Sequence, residues 1–134
     1  MTICWPWFGK TECKAKHGLA RYLRWRLVRR VGKSRVELET ESTPETMKVW
    51  PHPFKLRAVI SIAGRDGLNL AVTETNTGEA PYESSFGVHP YFAVADACKV
   101  SLDGEPLPEP PLMKKSKPLA PGKSSTYTVR MSAR

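Results

Sequence analysis

Apolar and polar side chains alternate along several short segments of the chain, a pattern that indicates strands with one buried face. In residues 19–31, for example, Leu23, Trp25 and Leu27 are separated by arginines, so we predict a strand there. No segment of ten or more residues has a clean helical period. The alternation and the content of β-forming residues predict about seven strands, at residues 19–31, 36–39, 56–63, 68–75, 85–94, 99–102 and 127–131.

Turn residues separate these strands. The sequence Gly64-Arg65-Asp66-Gly67 favours a tight turn and predicts a hairpin between the strands at 56–63 and 68–75. Many short strands joined by turns predict an all-β fold, an antiparallel β-sandwich. Residues 103–122 differ because they contain six prolines, which exclude a strand. We expect a proline-rich loop there, within a single domain that spans residues 1–134.

Composition narrows the class of protein. The chain has 134 residues, of which 40% are hydrophobic and 25% charged, as in an ordinary globular domain. No apolar run is long enough to cross a membrane, and the first ten residues lack the features of a signal peptide. We therefore expect a cytoplasmic protein. Its three cysteines, Cys4, Cys13 and Cys98, have no metal-ligand spacing, so we predict reduced thiols and no metal or cofactor.

The chain is basic, with a formal net charge of +8, and ten of its cations lie in residues 10–35. This surplus favours anionic partners without choosing among them. The cluster Arg24-Trp25-Arg26, followed by Arg29-Arg30, would suit a nucleic-acid binder with an aromatic residue for stacking. The alternative is a solvated strand face that carries alternating arginines, and we favour this second interpretation.

Three histidines are the candidates for chemistry near neutral pH. His17 lies in HGLAR, His52 in WPHPF and His89 in GVHPYF. Their spacing fits no zinc motif, and the sequence has neither a glycine-rich phosphate loop nor a nucleophile elbow. Taken alone, each histidine is more often a packed residue than a catalyst.

Five motifs in this order resemble the hexose-6-phosphate mutarotase branch of the aldose 1-epimerase family. They are ICWPWFG at 3–9, HGLAR at 17–21, WPHPFKL at 50–56, TNTGEAP at 75–81 and GVHPYFAVAD at 87–96. The ending LAPGKSSTYTV at 119–129 also resembles the closing strand of that family. Any one motif is weak, but several in register are fairly specific.

The resemblance implies a shortened β-sandwich of the galactose-mutarotase type that interconverts the α and β anomers of a hexose 6-phosphate without a cofactor. The residue at the position of His89 would act as the general acid on the ring oxygen. His17 would hold the sugar, and Arg21 would contact the substrate at its phosphate. In the family a glutamate near the C-terminus accepts the proton from the anomeric hydroxyl.

The chain also departs from the family. The strands expected before ICWPWFG are absent, and a long region expected between Leu102 and Leu119 is replaced by DGEPLPEPPLMKKSKP. That region should carry the catalytic glutamate, and neither Glu105 nor Glu109 matches its motif. A phosphosugar-binding module without catalysis, a nucleic-acid binder and a truncated product are therefore the alternatives. We expect open sheet edges to permit a homodimer.

Overall fold

The structure is a computed structural model that describes residues 1–9, 15–65, 67–91, 114–115 and 118–132. It is mostly antiparallel β-sheet, with one short α-helix, α1 (Pro44–Val49), and one 3₁₀ turn (Ala20–Tyr22). The described strands are β1 (Thr2–Cys4), β2 (Arg26–Val31), β3 (Arg35–Glu41), β4 (Phe54–Ala63), β5 (Gly67–Asn76), β6 (Ser85–His89), β7 (Lys114–Lys115) and β8 (Ser124–Ser132).

These strands form two sheets. The larger has five strands in the order β2-β3-β4-β5-β8, and the smaller has three in the order β1-β6-β7. Every pair of neighbours is antiparallel, and β4 and β5 form the predicted hairpin, with Ala63 opposite Gly67. The prediction of an all-β antiparallel fold is confirmed.

The two sheets pack face to face through one cluster of buried side chains. Ala58 of β4, Leu70 and Val72 of β5, and Tyr127 of β8 meet two residues of β6, which are Phe86 and Val88. The rings of Phe86 and Tyr127 stack with their centroids 4.8 Å apart. Burial of this apolar surface is the main force that holds the sheets together.

A second cluster closes one end of the sandwich. Trp5, which follows β1, is fully buried against Phe54 and Leu56 of β4 and against Tyr82. The Trp5 ring contacts the Phe54 ring edge-on at 4.6 Å and the Trp50 ring at 5.1 Å. Aromatic packing of this kind fixes the path of the chain between β1 and the 3₁₀ turn.

The prediction of one strand over residues 19–31 is wrong in its first half. The backbone N–H groups of Leu19 and Ala20 both donate to the carbonyl oxygen of Trp5, at 2.7 and 3.1 Å, and the chain turns into the 3₁₀ helix. The strand begins only at Arg26, and a bulge follows Leu27. As a result Leu27 is 56% exposed although the alternation predicted that it would face the core.

Helix α1 was not predicted, although its signal is present. Thr43 caps the helix, its hydroxyl accepting from the Thr46 backbone N–H while the Thr46 hydroxyl accepts from the Thr43 N–H. Pro44 occupies the first turn, where a missing N–H costs nothing. The helix has only six residues, too short to show a period.

Several predictions are confirmed only in the described part of the chain. Strand β6 confirms the first half of the prediction at 85–94, and β8 confirms the closing strand. The prediction that the prolines exclude a strand at 103–122 is wrong at two residues, because β7 (Lys114–Lys115) pairs with β6 there. The strand at 99–102 and most of this loop lie outside the described residues, as do Cys13 and Cys98. Among the helices of those residues, none is long and apolar enough to span a membrane.

Candidate functional site

Strand β6 has one face in the core and the other at the candidate site. Phe86 and Val88 point into the sandwich, so the alternation of a strand places Gly87 and His89 on the opposite face. The ring of Phe8 lies against Gly87, where a Cβ atom would come within 2.6 Å of the ring. A glycine at this position therefore allows the Phe8 ring to approach the backbone of β6 closely.

His17 is held in a constrained position beside Phe8. Its backbone φ is 63°, in the left-handed region, and its ring lies 4.8 Å from the ring of Phe8. The His17 N–H donates to the carbonyl of Gly9 at 3.1 Å, and the Gly9 N–H donates to His17 Nδ1 at 3.1 Å. Because Nδ1 is an acceptor here, the neutral imidazole carries its proton on Nε2.

Gly18, the residue after His17, lies directly against the backbone of Trp5. Gly18 forms an isolated bridge with Trp5 and has a φ of 79°. A Cβ atom at this position would lie 2.2 Å from the carbonyl oxygen of Trp5, so no other residue fits without a shift of the backbone. The end of β1 thus sets the position of the HGLAR segment.

The structure brings His17 and His89 together. Their ring centroids are 6.0 Å apart with an interplanar angle of 62°. The ring of Tyr91 lies 4.8 Å from that of His89. The Nδ1 atom of His89 is buried and has no hydrogen-bond partner among the residues that the structure describes. The two imidazoles can therefore act on one small molecule.

Arg21 lies close enough to act electrostatically on His17. It is partly buried, and its guanidinium carbon lies 5.3 Å from the centre of the Tyr22 ring. Arg21 also lines a cavity of about 290 Å³ between β1 and the inner face of β3 and β4, with Thr2, Ile3, Leu38 and Ile60 among the other lining residues. This cavity is mostly apolar, so Arg21 is its charged boundary.

The electrostatic environment of His17 is basic. Partial burial is the first cause that lowers the pKa of His17 below its ordinary value of 6.5, followed by the positive charges of Lys16, Arg21 and His89. Within the described part of the chain, no carboxylate is among the groups that shift this pKa. Two imidazoles and a guanidinium can donate hydrogen bonds to an anionic, hydroxyl-rich ligand.

The third histidine lies elsewhere. The ring of His52 packs at 4.6 Å from Trp50 and 5.4 Å from Tyr82, beside the second core cluster. Tyr82 is itself buried, and burial is the main cause that raises the pKa of its hydroxyl. His52 thus behaves as the packed residue that the sequence allowed.

The glutamates near the hairpin do not face the histidine pair. Glu74 is fully buried on the inner face of β5, where it accepts hydrogen bonds from Trp5, Ser84 and Tyr127. Glu83 is exposed. Glu105 and Glu109 lie outside the described residues. The absence of the family's catalytic glutamate therefore stays a prediction.

One arginine of the arginine-rich strand β2 and one arginine of β3 form ion pairs on the larger sheet. Arg26 pairs with Glu39 at 3.0 Å, and Arg35 pairs with Glu37 at 2.9 Å. The indole N–H of Trp25 donates to the Ala20 carbonyl at 3.1 Å, and its ring packs against both core clusters. Trp25 is thus not presented for stacking on a base, and the strand matches a solvated, charged face better than a nucleic-acid surface.

Sequence reasoning missed the residues that hold His17 in place. The motif ICWPWFG contains Trp5, Phe8 and Gly9, but the motif itself predicts no structural role for these residues. Their roles depend on contacts with His17 and the residues after it, such as the hydrogen bond that Gly9 donates to His17 eight residues later, which no local pattern encodes. Glu74 had a visible signal, because it occupies a position where the alternation of β5 predicts an apolar residue.

The structure is thus an antiparallel sandwich with two histidines beside the outward face of its smaller sheet, and comparison with known proteins identifies its family. The sequence model described as aldose 1-epimerase matches residues 1–131. The chain belongs to the aldose 1-epimerase family.

Curated relatives carry more specific names. Proteins from Escherichia coli and Cenchrus ciliaris, each named "Putative glucose-6-phosphate 1-epimerase", are 35% and 31% identical to this chain over 112 residues. Each alignment covers 76% of this chain but 34% of the relative. The chain thus spans about a third of the length of the curated relatives that it matches.

Solved structures share the fold. A galactose mutarotase related enzyme from Lactobacillus acidophilus matches with a TM-score of 0.63 at 20% identity, over 74% of this chain and 36% of that one. A protein from Synechocystis sp. PCC 6803 matches with a TM-score of 0.62 at 24% identity, over 67% of this chain and 35% of that one. At such identities the likeness concerns the fold alone.

Proposed function

We propose that this chain binds a hexose 6-phosphate and interconverts its α and β anomers, with His89 as the general acid and with His17 and Arg21 as substrate-binding residues. The observation that carries this proposal is the 6.0 Å separation of the His17 and His89 rings on the outward face of the smaller sheet. The names of the curated relatives support the choice of a phosphorylated hexose.

Mutarotation makes modest chemical demands. A proton must be donated to the ring oxygen and another removed from the anomeric hydroxyl, so that the ring opens and closes on the other face. A histidine can donate and recover a proton near neutral pH. A guanidinium binds phosphate oxygens in pairs, which suits Arg21 for the dianionic end of the sugar.

The alternative is a phosphosugar-binding module that no longer catalyses the reaction. It is favoured by the basic environment of His17, because no carboxylate is among the described groups that shift the pKa of this residue. Loss of one member of an acid–base pair lowers a rate by about 10²- to 10⁴-fold. The two proposals thus predict the same binding but different turnover.

The test is two-dimensional exchange NMR of the glucose 6-phosphate anomers with and without the protein. We expect the protein to accelerate exchange above the rate in water, and His89→Gln to remove about 10²-fold or more of that acceleration. His52→Gln is the matched control, since His52 packs against Trp50 and Tyr82 away from the pair.

The same spectra separate the alternatives. Line broadening of the sugar without faster exchange would replace the enzyme by the binding module. Neither broadening nor exchange would overturn both. A loss of exchange in His52→Gln equal to that in His89→Gln, with both variants folded, would contradict the role of His89.

Three further features complete the proposal. We propose that residues 1–134 form a single shortened mutarotase-like domain with a proline-rich loop at about 103–122. Among the described strands, β2 and β8 are the edges of the larger sheet, and such edges would permit a homodimer. A cytoplasmic location is supported by the free thiol of Cys4, which fits a reducing compartment.

A further inference from the structure

Strand β5 carries an acid where its pattern requires an apolar residue. Leu70 and Val72 are fully buried on its inner face, and the next inward residue, Glu74, is buried just as completely. Within the described part of the chain, no cation lies within ion-pair distance of Glu74. A buried carboxylate without a cation is unfavourable unless hydrogen bonds satisfy it.

Neutral donors from three separate segments satisfy this carboxylate. The indole N–H of Trp5 donates to Oε2 at 2.5 Å, and the Tyr127 hydroxyl donates to Oε1 at 2.9 Å. The Ser84 hydroxyl lies within hydrogen-bond distance of both oxygens, at 2.7 and 3.0 Å. These hydrogen bonds therefore join three separate segments of the chain to one side chain.

One of these segments leads directly to His17. The Trp5 side chain is fixed by Glu74, and the Trp5 carbonyl accepts from the N–H groups of Leu19 and Ala20. Gly18 lies against that same carbonyl, at a distance that leaves no room for a Cβ atom. A displacement of Trp5 must therefore displace the residue that precedes Gly18, which is His17.

A second segment leads to His89. Ser84 is the residue immediately before β6, and the next residue, Ser85, donates its backbone N–H to the carbonyl of Pro6 at 2.7 Å. The strand that ends at His89 is thus anchored at its start both to Glu74 and to the residue after Trp5. One carboxylate holds the supports of both histidines.

We propose that Glu74 is a positioning residue for the candidate site, which fixes the relative placement of His17 and His89 through Trp5 and Ser84. The proposal concerns the geometry of the free protein. Only its consequence for turnover rests on the proposed function. A purely structural role predicts lower stability with the two imidazoles unchanged in the folded protein.

The test compares two variants by NMR of the imidazole resonances in the ligand-free protein, at a temperature where both are folded. Glu74→Val keeps a β-forming, buried side chain but removes the acceptor. Glu37→Val is the matched control, because Glu37 is also buried on the five-stranded sheet but pairs with Arg35 and Arg57. We expect Glu74→Val to shift the resonances of His17 and His89 and to abolish the ring-to-ring NOE, and Glu37→Val to change neither.

A conservative variant and two partner variants sharpen the result. Glu74→Gln retains one carbonyl oxygen for the indole N–H, so it should preserve the NOE. Trp5→Phe removes the donor on the path to His17, together with part of the buried ring, and should shift His17 more than His89. Ser84→Ala should do the reverse. These milder variants decide the question even if Glu74→Val does not fold.

Two results would overturn the proposal. One is an unchanged NOE and unchanged imidazole resonances in folded Glu74→Val. The other, if Glu74→Val is unfolded, is unchanged imidazoles in both Trp5→Phe and Ser84→Ala.

Turnover provides a separate arm. If the native protein accelerates anomer exchange, we expect Glu74→Val to lower the rate by about 10²-fold, as for a small misplacement of catalytic groups. If the native protein neither binds nor exchanges glucose 6-phosphate, the proposed function fails, and the imidazole measurements still decide the role of Glu74.

Discussion

Two glutamates on the five-stranded sheet are almost equally inaccessible yet stabilised in different ways. Glu74 on the inner face is 0% exposed, and Glu37 on the outer face is 2% exposed. Glu74 accepts hydrogen bonds from an indole and two hydroxyls. Glu37 lies between two guanidinium groups, those of Arg35 and Arg57.

The difference lies in what remains when the carboxylate is removed. The side chains of Arg35 and Arg57 are 47% and 50% exposed, so they can return to water. The partners of Glu74 are buried core residues, and an indole N–H without an acceptor cannot find water there. Removal of a buried carboxylate therefore destabilises the core more when its hydrogen-bond donors are buried than when they are half exposed to water.

Glu39, two residues after Glu37 on the same face of β3, also pairs with two cations. It pairs with Arg26 of β2 at 3.0 Å and with Lys55 of β4 at 3.1 Å. Together the two glutamates hold four of the cations that make the chain basic. Two of these cations, Arg26 and Arg35, belong to the basic segment at residues 10–35. Ion pairs of such exposed cations on the outer face of the sheet contribute little to stability.

The largest expected effect is on stability. Glu74→Val should lower the free energy of unfolding by about 1–3 kcal/mol or more, because the buried Trp5 indole N–H loses its acceptor and an unsatisfied buried donor costs about 1–3 kcal/mol. Glu37→Val should lower it clearly less. Urea unfolding followed by tryptophan fluorescence measures both, with the slope checked for a common two-state transition.

Equal losses in the two variants would contradict the comparison. Glu74→Gln is the internal control, since the Ser84 and Tyr127 hydroxyls can each accept as well as donate and so tolerate an amide. We expect it to retain most of the stability that Glu74→Val loses. A Gln variant as unstable as the Val variant would show that the charge itself, rather than the acceptor, is required.

The sequence predicted the all-β fold because alternation survives wherever one face of a strand is buried. The β4–β5 hairpin was predicted from its turn residues, and the closing strand from Tyr127 and Val129. The prediction for the segment before Arg26 is wrong because the conformation of that segment is set by hydrogen bonds to the Trp5 carbonyl, which belongs to a separate part of the chain near β1. Helix α1 was missed because a single capped turn and a half shows no period.

The candidate site was predictable only through the resemblance to a family. His17, Arg21 and His89 were named from motifs, and the structure places the two histidines in contact range and Arg21 near them. No local pattern could show that Glu74 supports both histidines, since its partners Trp5 and Tyr127 are 69 and 53 residues away in sequence. The alternation did mark Glu74 as anomalous.

A smaller effect concerns acid stability. The hydrogen bond from Arg57, followed by that from Arg35, holds the pKa of Glu37 below its ordinary value of 4.5. The unfolded chain therefore takes up this proton at a higher pH than the folded chain. The stabilisation by Glu37 is fully present above about 4.5 and is lost as the pH falls through the lowered pKa.

Unfolding midpoints of the native protein and of Glu37→Gln, measured from pH 7 to pH 3, test this expectation. The native protein should lose its advantage over Glu37→Gln in the acid limb below about 4.5, and 0.5 M salt should reduce the advantage at neutral pH. A constant difference across the whole pH range would mean that the arginines do not act on Glu37 through its charge.

The smallest expected effect concerns the pKa of His17, on which nearby positive charges act through a group of the opposite charge type to Glu37. Cations stabilise the charged form of Glu37, but at His17 they favour the neutral form, because Lys16, Arg21 and His89 add to partial burial in lowering its pKa below 6.5. Protonation of His17 therefore destabilises the folded chain. The stabilisation that comes from neutral His17 is lost as the pH falls below about 6.5. NMR titration of His17 should give a midpoint below that value, and Arg21→Gln should raise it only in part, since burial is the larger cause. A midpoint at or above 6.5 would contradict the basic environment of His17. Full recovery of the midpoint in Arg21→Gln would assign the whole shift to Arg21 rather than to burial.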